Sequence, residues 1–166
     1  MIKIEPSKLS HAFCLGPRLR EQDRNEVLAS HHLTGEAAVV HSYQNSEFSF
    51  SAVEDNGLVA AMWGVSKNKE GPGGVIWFLG SDRVNDFPVL LFRTSRIFVK
   101  EALLYYGYLH NYVDMRNTLS IQWLRWLGFY FDDPAPYGVD QMMFHRFHVW
   151  RDAWRGTGKR RNELCV

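Results

Sequence analysis

Residues 48–82 read "FSFSAVEDNGLVAAMWGVSKNKEGPGGVIWFLGSD", three apolar or alternating runs separated by Asp55-Asn56-Gly57 and by "KNKEGPGG". Runs of this length punctuated by glycine turns predict a three-stranded antiparallel meander. A meander must bury its faces, so the flanking text has to supply the covering layers. Upstream, "IKIE" alternates before Pro6 and reads as a short first strand. "SKLSHAFCLG" is helical text stopped by Gly16-Pro17, and "PRLREQDRNEVLASH" sets Leu19, Val27 and Leu28 among charges, which predicts a helix facing mostly solvent. "TGEAAVVHSYQNS" supplies one more short helix, begun by Thr34.

Downstream the text returns to helix. Asp86 is the expected N-cap and Pro88 sits early in the first turn of a long helix that runs to a Gly107 stop. "YLHNYVDM" is a strand, "TLSIQWLRWLG" a helix capped by Asn117 or Thr118, and "YFDD" and "VDQMMFHRFHV" are two closing strands around a Pro134/Pro136 turn. The expected architecture is therefore α+β, with a mixed, mostly antiparallel twisted sheet flanked by helices. Its order is strand, two helices with room for a third, three strands, helix, strand, helix, two strands. A chain of 166 residues with 46% hydrophobic content can build one core. The expected division is a domain over 1–149 and a C-terminal extension over 150–166.

The bulk numbers narrow the function classes. A net charge of +1 gives no global field to attract nucleic acid or an anionic membrane. Cys14 and Cys165 stand alone near opposite ends, without metal-ligand spacing, which fits a reducing compartment and no structural zinc. The first ten residues have no apolar signal core and no run is long enough to span a bilayer, so the expectation is a soluble protein made in a cytoplasm. His145 and His148 are three apart in a predicted strand and point to opposite faces, so they do not form a metal pair. The "GPGG" of residues 71–74 lacks a following Lys-Ser/Thr and is a hairpin connection.

Residues 116–131, "RNTLSIQWLRWLGFYF", carry more specific information. Asn117 is followed by Ser120, Ile121, Trp123, Leu124 and then Gly128-Phe129. Ser120, Ile121, Trp123, Leu124 and Leu127 occupy adjoining helical faces suited to packing on a sheet, and Gly128 suits the left-handed cap that would release Phe129 into the next strand. With the order of elements around it, this stretch resembles the second motif of the GCN5-related N-acetyltransferases (GNAT), over roughly the first 150 residues as a whole-domain likeness. Three segments, "WFLGSDRV", "YLHNYVDMRNTLSIQWLRWLGF" and "PYGVDQMMFHRFHV", also resemble the acetyltransferase-like internal virion proteins of T7-like short-tailed phages. That likeness implies a virion-associated or morphogenesis role, the chain being made in the host cytoplasm with incorporation into the virion left open, and with other phage proteins or further copies of the chain as partners.

The GNAT resemblance also implies a test of chemistry. The family cradles the pyrophosphate of acetyl-CoA with Arg/Gln-x-x-Gly-x-Gly/Ala at the start of the long helix, where backbone N–H groups meet phosphate. Here the text is "GSDRVNDFPVL", with no glycine after Gly80, acids at Asp82 and Asp86, and a proline lacking an N–H. If acetyl-CoA does bind, the resemblance assigns it Leu79, Ser81, Arg83, Val84, Asn85, Asn117 and Ser120. The family's usual acid, a tyrosine seven residues after the asparagine, is Leu124, which has no proton to give. Glu54 and His110 are the candidate bases, and Tyr130 or Tyr137 the candidate replacement acids. The sequence thus favours a GNAT-fold protein without efficient acetyl transfer, with no resident cofactor; the alternative is an active acetyl-CoA-dependent N-acetyltransferase modifying a host or phage protein.

Beyond Val149 the text becomes "WRDAWRGTGKRRNELCV", in which Arg151, Arg155, Lys159, Arg160 and Arg161 outnumber Asp152 and Glu163. Trp150 and Trp154 are four apart and in a short helix would share a face suited to docking on a neighbouring subunit or on the chain's own sheet; the plainer alternative is a solvated basic extension with one tryptophan tucked onto the domain. Trp150, Trp154, Arg155, Lys159, Arg160 and Arg161 are therefore the candidate partner contacts, with at most weak phosphate contact to nucleic acid.

Overall fold

The meander forms where the turns place it. In a computed structural model, which describes residues 1–156, β2 (Phe48–Glu54), β3 (Val59–Lys67) and β4 (Gly74–Gly80) pair antiparallel in sequence order. Strand β1 (Ile2–Pro6) adds to β2. Helices α1 (Leu9–Leu15), α2 (Glu21–His31) and α3 (Gly35–Asn45) precede the meander, so all three helical stretches fold. After it come α4 (Pro88–Tyr106), β5 (Tyr108–Asp114), α5 (Thr118–Trp126), β6 (Tyr130–Phe131), β7 (Ala135–Tyr137) and β8 (Met142–Trp150). The three-residue β7 lies inside the expected proline turn and pairs with β8, an element the sequence pattern does not reveal.

The sheet runs β1-β2-β3-β4-β5-β8-β6, with β7 also on β8. Among the described residues only β4 and β5 pair parallel, through the α4 crossover. Two clusters fill the faces. Leu15, Leu19, Val39, Met62 and Leu79 pack on the α1/α3 side, and Trp63, Phe98, Val99, Leu103, Leu109, Phe147 and Val149 on the α4/α5 side. Coverage on both faces explains why β3 is buried from Val59 to Val65 rather than alternating.

The helix ends follow their caps, with one exception. Thr34 accepts from Ala37 N at 3.2 Å, and Asn117 accepts from Ser120 N at 3.3 Å. At the end of α5, Gly128 has φ +91°, its N–H reaches Arg125 O, and Phe129 N–H reaches Leu124 O, the paired bonds of a glycine-terminated helix. The exception is Asp86, which caps nothing. The N-cap of α4 is Phe87, and Asp86 belongs to a 3-10 turn over Asp82–Asp86, paired with Arg83 at 3.0 Å. A neighbouring guanidinium outcompetes the helix N–H groups for that carboxylate.

Strand β8 runs through the expected boundary at 149/150, and the chain beyond it turns back onto the domain. Trp154 packs against the α4/α5-side core and donates from Nε1 to Leu127 O at 2.8 Å. Trp150 instead lies tilted against Tyr108, ring centres 4.3 Å apart, and is 54% exposed. The two tryptophans therefore do not share a docking face: residues 151–153 form a turn, not a helix. Arg155 is exposed and donates to Asp152 O. Lys159, Arg160, Arg161 and Cys165 lie outside the described residues. Among those described, no helix is long and apolar enough to cross a membrane, and no cluster of His, Cys, Asp or Glu suits a metal.

Candidate functional site

Strands β4 and β5 pair only at Gly74↔Leu109 and Val75↔His110, then separate. Past that point one side-chain stitch crosses between them, from Asn111 Nδ2 to Ile76 O at 2.7 Å. The opening is continuous with a cavity of about 310 Å³ whose walls include Glu26 and Ser30 of α2, His41 of α3, Tyr112 of β5, Leu124 of α5 and Tyr137. A second cleft of about 270 Å³ lies between the start of α4 and α5, lined by Val84, Pro88, Phe92, Leu119 and Trp126. Phe78, Ser120 and Trp123 line both spaces. They form the partition, with the Phe78 and Trp123 rings edge to face at 4.7 Å.

Helix α2 lies across the mouth of the split and ties its two rims together. On the β4 rim, Ser81 N–H bonds back to Ala60 O of β3, so Ser81 and Leu79 turn their backbone groups toward β3, and Gly80 turns its own toward the opening. Both Gly80 groups are engaged. Its N–H donates to Asp23 Oδ2 at 2.8 Å, and its carbonyl accepts from Arg20 N–H at 2.9 Å. Leu19 bridges to Ser81 just beyond. The Arg20 side chain then spans the split, with Nε 2.9 Å from Asp23 Oδ1 as an ion contact too bent for a hydrogen bond, and Nη2 donating to Ser120 Oγ at 3.1 Å. Its guanidinium lies 5.9 Å from the Phe78 ring centre. Asp23 is buried, which pushes its carboxyl up, while Arg20 and the Gly80 N–H pull it back.

On the β5 rim the central group is Glu26, one turn along α2. Its Oε2 accepts from Asp114 N–H and from Asn117 Nδ2, both at 3.3 Å. Burial, then the charge of Asp23, raises this carboxyl to about 7, while the two hydrogen bonds and Asp114 act less strongly. The charges acting on Glu26 are thus acids, and its neutral and ionised forms are nearly balanced at neutral pH. Asp114, by contrast, sits below its ordinary value: burial pushes it up, but hydrogen bonds and charge from Arg116 prevail.

The residues assigned to acetyl-CoA by resemblance are brought close, and most are occupied. Ser81 is buried and gives both its N–H and its hydroxyl to Ala60 O. Arg83 is held by both oxygens of Glu54 at 2.8 Å and by Asp86. Leu79 and Val84 are buried in the core, Ser120 receives Arg20, and Asn117 holds both the α5 cap and Glu26. Arg83 and Asn85 are exposed, Asn85 on the rim of the second cleft.

Of the candidate acids and bases, Tyr137 alone lines the cavity, stacked on Tyr112 at 3.8 Å, where burial raises its phenol. Glu54 is away from the cavity, and Arg83 lowers its carboxyl. His110 stacks on Tyr108 at 5.6 Å with both ring nitrogens buried and without hydrogen-bond partners; burial, then Arg146 and His148, lowers its pKa. Tyr130 is 55% exposed at the far edge of the sheet. His145 and His148 do point to opposite faces, each reaching a different oxygen of Asp132.

Asp23 and Glu26, the acids that define the opening, are absent from these expectations. A spacing of three on a helix with apolar residues beside it was the available signal.

No protein-family model matches the chain, and no curated protein matches it. Solved structures do. The ribosomal-protein-S5-alanine acetyltransferase of Vibrio fischeri is 15% identical, with a TM-score of 0.63 over 93% of this chain and 95% of that one. A GNAT-family acetyltransferase of Streptococcus pneumoniae is 12% identical, at 0.60 over 90% and 99%. An N-acetyltransferase of Staphylococcus aureus is 11% identical, at 0.60 over 92% and 99%. At these identities the likeness is one of architecture, and together with the split sheet and the α5 motif it establishes that this chain has the GNAT fold.

Proposed function

We propose that this chain is a GNAT-fold binding protein that does not use acetyl-CoA in the manner of that family. The observation that carries the reading is Gly80: its opening-side N–H and carbonyl are both taken by α2 and the residue before it. The place for phosphate agrees. Around Arg83 stand Glu54, Asp82 and Asp86, and Glu54 and Asp86 hold its guanidinium directly, so a pyrophosphate would meet acids and no backbone nest. Leu124 supplies no proton at the cavity wall. The proposed setting is a phage virion or its assembly, with other virion proteins as partners, and it rests on the sequence segments that resemble internal virion proteins.

Calorimetric titration of the full chain with acetyl-CoA tests the reading. No saturable heat up to millimolar ligand is expected. Micromolar binding that disappears on replacement of residues 81–86 would overturn it. Mass spectrometry of purified particles addresses the setting: the chain is expected in mature phage, and its absence there would remove the virion role.

One observation favours the alternative, an acyl-CoA-dependent N-acyltransferase. Glu26 is a carboxylate of near-neutral pKa in a cavity at the split, the state required of a base that takes a proton from an ammonium. Transfer of labelled acetyl groups to an amine panel, lost in Glu26→Gln, would establish that reading.

A further inference from the structure

The closure of the β4 rim has the form of a substitute ligand. An open strand edge is completed by any extended chain that offers an N–H and a carbonyl in register. Here residues 19–23 do so from within the molecule: Leu19 bridges to Ser81, Arg20 gives its N–H to Gly80 O, and Asp23 stands in for a carbonyl toward Gly80 N–H. The segment is fastened at its far side too, by Arg20 to Ser120 on α5 and by Glu26 to Asp114 and Asn117. Leu19 is 1% exposed and Asp23 4%, so the segment is anchored by two buried ends, with Glu21 and Gln22 facing solvent between them. Behind it the opening persists as two spaces parted by side chains alone, Phe78, Ser120 and Trp123.

We infer that residues 19–23 are an intramolecular plug, which completes the β4 edge in place of an extended amide-bearing ligand and excludes the acyl-pantetheine arm of an acyl thioester from the split. The inference rests on the closed reading of the site given above. Such an arm carries amides that could take the Gly80 N–H and carbonyl once the plug is released, and its apolar stretches would pass Phe78 and Trp123. Its phosphates would gain nothing, because Asp82 and Asp86 remain beside Arg83.

The test compares the wild-type chain with Arg20→Pro/Asp23→Ala, in which proline removes the N–H given to Gly80 O at a position whose φ of −60° suits it; each is titrated with S-acetylpantetheine and with acetyl-CoA, folding being checked by circular dichroism and amide NMR. The wild type is expected to bind neither. The variant is expected to bind S-acetylpantetheine at least about tenfold more tightly than the wild type, with acetyl-CoA within about threefold of it. A folded variant that binds neither overturns the plug and leaves the closed reading standing. Wild-type binding of acetyl-CoA overturns the closed reading itself. Should the double variant not fold, Ser120→Ala cuts only the tether of Arg20 to α5; faster exchange of the Gly80 amide and a measurable gain in S-acetylpantetheine binding are expected, and no change in either overturns the plug.

Discussion

On the β4 rim of the split, Gly80 gives its N–H to Asp23 and accepts the N–H of Arg20, and the Arg20 guanidinium answers the Asp23 charge. On the β5 rim, one turn along the same helix, Glu26 accepts two long hydrogen bonds and is surrounded by acids. One helix thus closes one rim with matched charges and lines the other with an unmatched one. The first arrangement is what a protein does with a structural joint. The second costs free energy in the ionised state and is typical of groups kept for contact with something else. The difference teaches that the split is asymmetric: its β4 rim is bonded to the segment that begins α2, while its β5 rim opens on a cavity.

The contrast can be broken most forcefully at Asp23. Replacing it by alanine leaves Arg20 buried without its partner and Gly80 N–H without an acceptor, and should cost about 3–5 kcal/mol, read as a fall in the urea midpoint. A loss below about 1 kcal/mol would mean that the β4 rim is not a structural joint.

Glu26→Gln should act in the opposite direction. The folded protein holds the Glu26 proton to about 7 from an ordinary 4.5, so between those values the native state binds more protons than the unfolded chain, and stability falls as pH rises. The amide oxygen of the substituted side chain accepts the same two hydrogen bonds without a charge. Near pH 8 the variant should be more stable than the wild type by about 2–3 kcal/mol, and near pH 4 the two should agree. A destabilised variant at high pH would show that Glu26 is as well matched as Asp23.

Arg83→Ala sharpens the comparison from outside the joint. Arg83 is half exposed and its contacts with Glu54 and Asp86 are screened by solvent, so the urea midpoint should hardly move, and the variant, like the wild type, is expected to give no saturable heat with acetyl-CoA. The smallest effect is expected of Leu124→Tyr, which restores a phenol to the cavity wall: thiol release from acetyl-CoA should remain at the uncatalysed rate. Turnover there would mean that only the acid was missing.

Much of the architecture is legible in the sequence because it depends on local signals. Asp55-Asn56-Gly57 marks a hairpin, Thr34 and Asn117 cap helices, and Gly128 with Phe129 ends α5 in the expected bonds. The site is less legible because its decisive contacts are non-local. The text of α2 looks solvent-facing when only Leu19, Val27 and Leu28 are counted, since a periodicity argument assigns Asp23 and Glu26 to the wet face. They turn inward because the backbone of Gly80 and Asp114, fifty or more residues away, offers them N–H donors. Asp86 fails as a cap because its carboxylate is held by Arg83 and Phe87 takes the N-cap position. The departures from the acetyltransferase pattern, at residues 80–88 and at Leu124, could be read directly, but the bonding of residues 19–23 to Gly80 and Ser81 could not.

The most direct measurement of closure is amide hydrogen exchange at Gly80, with and without acetyl-CoA. A sealed β4 rim predicts that the Gly80 N–H exchanges as slowly as the β3–β4 ladder amides, and that millimolar acetyl-CoA leaves its rate unchanged. Loop-like exchange in the free protein, or protection gained only when acetyl-CoA is added, would contradict it and show an open donor edge.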